Sequence, residues 1–123
     1  MYSTWYSFHQ SVEPAAVEAE CALAKEFGCA AVIVDDGWQT RDAGRGYAYC
    51  GDWEPERTGD MAAHVRRIHA LGLKFLLWYS VPFIGMQSRS YARFRGKFLR
   101  EDEQLKTAVL DPRYPEVRDF LIG

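Results

Sequence analysis

Long hydrophobic runs and an excess of positive charge are both missing from this chain of 123 residues. No apolar run approaches the roughly 18 residues that a membrane-spanning helix needs, so we expect no membrane partner. The formal net charge is -2, without the basic stripe of a nucleic-acid binder, so we expect no nucleic-acid partner either. The first ten residues also lack the basic start and apolar block of a signal peptide.

Cysteine is scarce, and its spacing excludes two further classes of protein. Cys21, Cys29 and Cys50 are an odd number at wide spacing, which is a poor disulfide framework. No C-x-x-C pair occurs, so we expect no zinc site, and we expect neither a metal nor a cofactor. Cys21 and Cys29 have apolar neighbours, which is typical of small core residues in a cytoplasmic protein.

What the chain does contain is apolar and aromatic residues, at 48% and 15% of the sequence. This is enough for one globular domain and not for two, so residues 1–123 are expected to form a single unit. Two amphipathic helices are predicted from apolar spacing. Pro14 suits the first turn of one helix and Phe27 is expected to extend its apolar stripe, while Asp60 is expected to cap the other. Gly28 and Gly72 suit the position just past each helix. The predicted elements are a strand over 3–9, a helix over 13–27, a strand over 30–34, a helix over 60–72 and a strand over 73–81.

Less regular segments follow the second and third strands. Residues 37–59 form a long polar loop that carries two of the four tryptophans, which favours a functional loop. After the third strand we expect an irregular region with a short basic helix, one side of it lined by Tyr91, Phe94 and Phe98. Asp111 and the two prolines that follow it are expected to open a last helix.

Near-continuous apolar strands that alternate with helices predict an α/β fold, with a parallel sheet and covering helices. Two architectures fit this order of elements. One is an open doubly wound sheet, and the other is part of an eight-fold β/α barrel.

Two adjacent acids, Asp35 and Asp36, follow the second strand directly. Ligands of parallel α/β folds bind at the carboxyl ends of the strands, so these carboxylates are candidate acceptors for a metal ion, a basic side chain or sugar hydroxyls. Aromatic residues stand near the other two strand ends, Trp5 at the first and Trp78 at the third. Carboxylates beside flat rings suit a sugar. In the alternative, the rings are core and the aspartates are helix caps or partners of arginine.

Several motifs in order along the chain resemble glycoside hydrolase family 36, the melibiase-type α-galactosidases. They are "DDGWQ", "GDW", the helix over 61–72 leading into "LKFLLWYSVPF", and "VLDPRYPEVRDFL". The resemblance implies a partial (β/α)8 TIM barrel, comprising about its first three β/α units. It also implies an enzyme that removes terminal α-linked galactose with retention.

The same resemblance implies roles for individual residues. Asp35 and Asp36 would accept hydrogen bonds from the O6 and O4 hydroxyls of an α-galactoside, and an axial O4 distinguishes galactose from glucose. Trp78 would lie beside the sugar, with Trp5 nearby. Trp38 and Trp53 are expected to wall the site.

The catalytic carboxyl groups of the family have no match here. A retaining glycosidase needs a nucleophile and an acid/base about 5–5.5 Å apart. The family nucleophile stands in a lysine-x-aspartate pattern at the fourth barrel strand, and no such pattern occurs at a strand end of this sequence. We therefore assign no catalytic residue and expect a fragment of a glycosidase barrel, inactive by itself.

Three further expectations accompany this interpretation. A non-catalytic carbohydrate-binding or structural α/β module is the main alternative, and a phosphatase-like domain with an acidic metal site is a weaker one, because no glycine-rich phosphate loop follows any strand. If the chain folds alone, its unpaired strand edges and apolar faces predict a homo-oligomer, with Ile33, Phe75 and Leu77 at or near the contact.

Overall fold

The computed structural model describes residues 1–41 and 46–123. The remaining part of the predicted loop, residues 42–45, lies outside the described residues. The chain divides into two compact units, one of Met1–Ala43 with Glu54–Tyr79 and the other of Gly44–Trp53 with Ser80–Gly123.

The first unit is a parallel three-stranded sheet with helices in its connections. The strands lie in the order β1-β2-β3, and both pairings are parallel. This confirms the predicted α/β class with a parallel sheet. The elements are β1 (Tyr2–Ser3), α1 (Trp5–Phe8), α2 (Pro14–Glu26), β2 (Ala31–Val34), α3 (Met61–Ala70) and β3 (Lys74–Leu77).

Helix α2 begins and ends where the sequence predicts. Pro14 is at the first helical position, where its missing N–H costs nothing, and Gly28 has a φ of 80° just beyond the helix. Val17, Cys21 and Ala24 are buried along one face. The expectation that Phe27 extends this stripe is wrong: the side chain is 88% exposed, because the helix has ended and the chain has turned away.

Helix α3 is capped as predicted. The Asp60 carboxylate accepts a hydrogen bond from the Ala63 N–H, and Gly72 leaves the helix with a φ of 76°. The buried face carries His64 and Ile68. His64, for which the sequence indicates no role, lies 2.6 Å from the Glu18 carboxylate through its Nδ1 and so joins α3 to α2. Arg67 donates to the other oxygen of Glu18 at 2.8 Å.

The predicted strand over 3–9 is largely wrong. Strand β1 ends at Ser3, and Trp5–Phe8 form one helical turn, in which the Phe8 N–H donates to the Thr4 carbonyl at 2.9 Å. The aromatic residues favour a strand by propensity, but Trp5 and Tyr6 are exposed here and have no strand neighbour to pack against. The buried Thr4 is the last residue tied to the sheet, since its N–H donates to the Ile33 carbonyl.

Register divides the parallel sheet into two faces. Val32 pairs with Phe75 and Val34 with Leu77, while Ile33 pairs with Leu76. Successive side chains of a strand point to opposite faces, so these sets lie on opposite sides. Phe75 contacts the His64 ring of α3 edge-on at 5.7 Å, so its face is the one that the helix covers.

The second unit contains an antiparallel sheet where the sequence predicts an irregular region, and that prediction is wrong. Its strands lie in the order β4-β6-β5, with antiparallel pairings. Gly85 allows the closest approach, because a Cβ there would overlap the Ala48 carbonyl. The elements are a 3-10 helix (Gly46–Tyr49), β4 (Phe83–Gly85), α4 (Arg89–Arg93), β5 (Phe98–Asp102), β6 (Thr107–Leu110) and α5 (Pro115–Ile122).

The second unit differs from the predicted helices at two places. Phe98 lies in β5 rather than on the short basic helix, and stacks on Tyr91 with ring centroids 4.9 Å apart. Helix α5 begins at Pro115 rather than near Asp111, whose carboxylate instead accepts from the Arg113 backbone and guanidinium. The core consists of Ile84, Phe94, Ala108, Leu110 and Val117. In the part of the chain that the structure describes, no helix is long and apolar enough to cross a membrane.

Candidate functional site

The carboxyl ends of the three parallel strands meet at one edge of the first unit. The Thr4 hydroxyl, just past β1, accepts a hydrogen bond from the Asp35 N–H at 2.9 Å. Just past β3, the Trp78 N–H donates to the Val34 carbonyl at 3.0 Å. The structure thus brings together three of the predicted site residues, Asp35, Asp36 and Trp78, at the edge where α/β proteins bind ligands.

The Asp36 carboxylate is held on both oxygens by side-chain amides. Gln10 donates from Nε2 to Oδ2, and Gln39 donates from Nε2 to Oδ1 at 2.6 Å. The direction of the Gln39 amide follows from its other end, because its Oε1 accepts from the Gly37 N–H at 3.0 Å. Asp36 is only 8% exposed, so these two donors replace most of the water that a carboxylate otherwise needs.

Asp35 is half-buried and differently bonded. Its Oδ1 accepts from the Asp36 N–H at 2.8 Å, which tightens the turn. Among residues 1–41 and 46–123, its second oxygen accepts no hydrogen bond from a protein donor. Asp35 therefore has one oxygen without a donor among these residues, whereas each oxygen of Asp36 already accepts one hydrogen bond and keeps one lone pair.

Gly37 is required where it stands in the "DDGW" turn. Its φ is 113°, a backbone conformation that residues with a Cβ rarely adopt. A Cβ at this position would also overlap the Gln10 backbone carbonyl. The glycine thus permits the segment after α1 to pack directly against the turn after β2.

Arg57 holds the same turn from the other side. Its Nε donates to the Gly37 carbonyl at 3.1 Å and to the Thr40 carbonyl at 2.9 Å, and its Nη2 donates to the Arg41 carbonyl at 3.0 Å. Its Nη1 pairs with the Glu13 carboxylate. A buried guanidinium with four acceptors fixes a turn that has no regular secondary structure.

Trp38 is a buried support rather than an exposed wall in this structure. It is 2% exposed, and its Nε1 donates to the Trp78 carbonyl at 2.9 Å. Its ring meets Tyr79 edge-on at a centroid distance of 5.4 Å. The indole therefore joins the turn after β2 to the chain after β3, and Trp78 itself is half-buried.

Trp5 and Trp53 are the other two tryptophans that the sequence predicts at the site. Trp5 is 38% exposed and meets the His9 ring edge-on at 5.2 Å. Trp53 belongs to the second unit, where it is half-buried with a φ of 52°. Gln39 is the last residue of the "DDGWQ" motif and is within reach of sequence reasoning. Gln10 and Arg57 lie far away along the chain, and no sequence signal indicates them.

Asp52 of the "GDW" motif has partners that sequence reasoning misses. Its carboxylate accepts from the Arg89 and Ser90 backbone N–H groups, both at 3.0 Å, and from the Ser90 hydroxyl at 2.8 Å. Burial alone would raise the pKa of this carboxyl, but these hydrogen bonds outweigh it and lower the pKa. Asp52 thus holds the start of α4 within the second unit. In the described ranges, no cluster of three His, Cys, Asp or Glu residues could hold a metal ion.

The fold is similar to that of several solved α-galactosidase structures. No protein-family model matches the chain. An α-galactosidase of Geobacillus stearothermophilus, solved with raffinose, matches with a TM-score of 0.85 and 23% identity, over 98% of this chain and 18% of that one. The Thermus thermophilus α-galactosidase matches with a TM-score of 0.78 and 23% identity, over 97% of this chain and 26% of that one. The fold is that of a segment of α-galactosidases.

Sequence similarity agrees with this class. The bifunctional α-galactosidase/sucrose kinase of Mediterraneibacter gnavus is 33% identical over 111 residues, which cover 79% of this chain and 11% of the relative. The galactosidase domain of an α-galactosidase–sucrose kinase also matches in structure, with a TM-score of 0.82. The resemblance to glycoside hydrolase family 36 is therefore confirmed, for a chain that spans about a tenth of its curated relative's length.

Proposed function

We propose that this chain is the sugar-recognition part of an α-galactosidase-like retaining glycoside hydrolase. The observation that carries the proposal is the Asp35–Asp36 pair, which stands at the carboxyl end of the central parallel strand. In this proposal residues 1–123 form one segment, about the first three β/α units of a (β/α)8 barrel. The Geobacillus structures with raffinose and with stachyose support an α-galactoside as the ligand.

The residues divide the work of binding. Asp35 and Asp36 accept hydrogen bonds from sugar hydroxyls, and the axial O4 of galactose is the group that glucose cannot present in the same place. Trp78 directly follows β3, and its backbone N–H donates to the Val34 carbonyl at the strand end that also carries the two aspartates. Its ring offers an apolar surface to the sugar's C–H groups, with Trp5 as an outer contact. Trp38 supports this segment, because its indole Nε1 donates to the Trp78 backbone carbonyl.

In this proposal the catalytic carboxyl groups are residues other than Asp35 and Asp36. Consecutive Asp35 and Asp36 differ in bonding, and both oxygens of Asp36 are engaged by glutamine amides. Neither is arranged as one of two carboxyls facing a single sugar carbon. In this proposal the chain alone recognises sugar without cleaving it.

Titration with galactose tests this proposal. The ¹⁵N-labelled chain is followed by NMR, and galactose shifts resonances of residues 34–39 and 78 in a saturable way, while glucose shifts them far less. Asp35→Asn weakens the galactose response and Asp119→Asn, a matched change in α5, leaves it unaltered. Equal responses to both sugars, or none in the folded protein, contradict the proposal.

The unpaired cysteines support a cytoplasmic location as part of the same proposal. Cys21, Cys29 and Cys50 are all free thiols, and Cys21 and Cys50 are buried. Reducing compartments keep thiols in this state. Fractionation of cells that make the protein at its natural level tests this, and recovery outside the cytoplasm contradicts it.

A further inference from the structure

Asp36 is oriented by a residue that no motif contains. Gln10 reaches it from the connection between α1 and α2, across 26 positions of sequence. Gln39 reaches the other oxygen from the turn itself. A carboxylate so held has one orientation, since rotation about its bond to Cβ would break both hydrogen bonds at once.

The position of Gln10 is itself determined by the "DDGW" turn. Its backbone carbonyl lies against Gly37 so closely that a Cβ there would overlap it. Gly37 also presents its N–H to Gln39, which turns the Gln39 amide toward Asp36. Gly37 therefore leaves room for the segment that carries Gln10, and it also orients the side-chain amide of Gln39.

From this geometry we propose that Gln10 is a positioning residue of the sugar site. It fixes the Asp36 carboxylate so that the lone pairs left unused by the two amides face the sugar, and it thereby sets the affinity for galactose. This inference rests on the proposed function, because it takes Asp36 as an acceptor for a sugar hydroxyl. Gln10 acts through Asp36 and need not contact the sugar.

Substitution of Gln10 separates its donor from its bulk. Gln10→Leu keeps a similar volume and removes the donor, leaving one oxygen of a buried carboxylate without its partner. Gln104→Leu is the matched control, since Gln104 is exposed and no hydrogen bond of its side chain is found among the described residues. We expect Gln10→Leu to shift the ¹³C resonance of the Asp36 carboxyl in the ligand-free protein and to weaken galactose binding at least tenfold. The control changes neither.

A second variant gives a signature that loss of packing would not produce. Gln10→Glu places a like charge against Asp36, and two such carboxyls readily share a proton as the pH falls. The shared proton restores a donor at this position. We therefore expect Gln10→Glu to bind galactose weakly at pH 8 and to recover affinity toward pH 5, whereas the affinity of the original protein changes less over that range.

The two proposals fail in different ways. An unshifted Asp36 resonance in Gln10→Leu, or unchanged galactose affinity in a folded variant, overturns the role of Gln10. If Gln10→Leu does not fold, the absence of recovery at low pH in Gln10→Glu overturns it instead. An original chain that binds no galactose overturns the proposed function and the affinity claim with it, and the ligand-free spectra still decide whether Gln10 orients Asp36.

Discussion

Gly37 and Gln10 lie in backbone contact, with no room between them for a side chain at position 37. Gly37 has a φ of 113°, so the backbone conformation and the available space both require glycine. The contact brings the connection after α1 against the turn after β2. It accounts for the glycine of "DDGW" by packing, independently of any ligand.

Replacing Gly37 by alanine should destabilise the first unit strongly. Strain at positive φ and overlap with the Gln10 carbonyl together predict a loss of about 2–4 kcal/mol in the free energy of unfolding. Urea unfolding followed by tryptophan fluorescence measures it. Gly59→Ala is the control, because Gly59 has a φ of 66° with open space around it, and we expect a loss of only about 1 kcal/mol there. Equal losses at the two positions would show that the contact with Gln10 carries no weight.

Arg57 should contribute to the free energy of unfolding, although it is not one of the residues proposed to bind the sugar. Arg57→Met removes donors from three backbone carbonyls and from Glu13, and we expect a loss of about 2–4 kcal/mol. Arg57→Lys should recover only part of this, because one ammonium cannot reach four acceptors spread around a planar fork. Arg66→Met on the exposed side of α3 should change the free energy of unfolding by less than about 0.5 kcal/mol. An Arg57→Met protein as stable as Arg66→Met contradicts the role of Arg57.

Local signals in the sequence account for the parts of the fold that are predicted correctly. Pro14, Gly28, Asp60 and Gly72 each act within one helical turn, so the predicted ends of α2 and α3 are nearly correct. The strand before Asp35 is equally clear, because a short apolar run that stops at two acids is typical of a buried strand whose carboxyl end reaches the edge of the sheet.

Long-range pairing determines the parts of the fold that the sequence does not reveal. In the second unit's sheet, the three-residue strand β4 and the charged strand β5 both pair with β6, and neither β4 nor β5 has the apolar alternation of a typical strand. The prediction for the aromatic segment over 3–9 fails for the opposite reason, since its propensity favours a strand that tertiary structure does not provide. In the candidate site, Asp35 and Asp36 are predictable as a pair, but the donors that distinguish them come from Gln10 and Gln39.

Acid should remove the contribution of Asp52 to stability. Its pKa in the folded protein is lowered from the ordinary value of 3.8, so its stabilising effect is complete well above that value and declines as the pH falls through the lowered pKa. We expect Asp52→Asn to lose about 1 kcal/mol at pH 7, because hydrogen bonds to a charged acceptor stabilise more than those to a neutral one. The difference between the original protein and the variant should shrink toward zero once the pH lies below that lowered pKa. Unfolding free energies over this range of pH measure it, and a difference independent of pH contradicts the assignment.

The chain by itself should not hydrolyse p-nitrophenyl α-galactoside faster than a mock preparation. The reason is that the carboxylates at the carboxyl end of the sheet, Asp35 and Asp36, are bonded as acceptors and not as a nucleophile facing an acid/base. Release of p-nitrophenol over several hours is the measurement. Turnover that purifies with the protein and is abolished by Asp36→Asn would show that the pair is catalytic.

Self-association should involve only one of the three residues that the sequence indicates, Ile33. Phe75 and Leu77 share the helix-covered face, while Ile33 pairs with Leu76 on the other, and Leu76 is 42% exposed at an edge strand. Burial of a few hundred Å² of apolar surface, at roughly 25 cal/mol per Å², favours association by several kcal/mol. Pairing of unsatisfied backbone groups along β3 adds to this.

We therefore expect a homodimer at micromolar concentration, and we expect Leu76→Asp to weaken it by placing a charge in the contact. Leu23→Asp, at a residue 51% exposed on α2, should leave it intact. Sedimentation equilibrium decides between these outcomes, and a folded protein that is monomeric up to tens of micromolar would show that this face of the sheet needs no second copy.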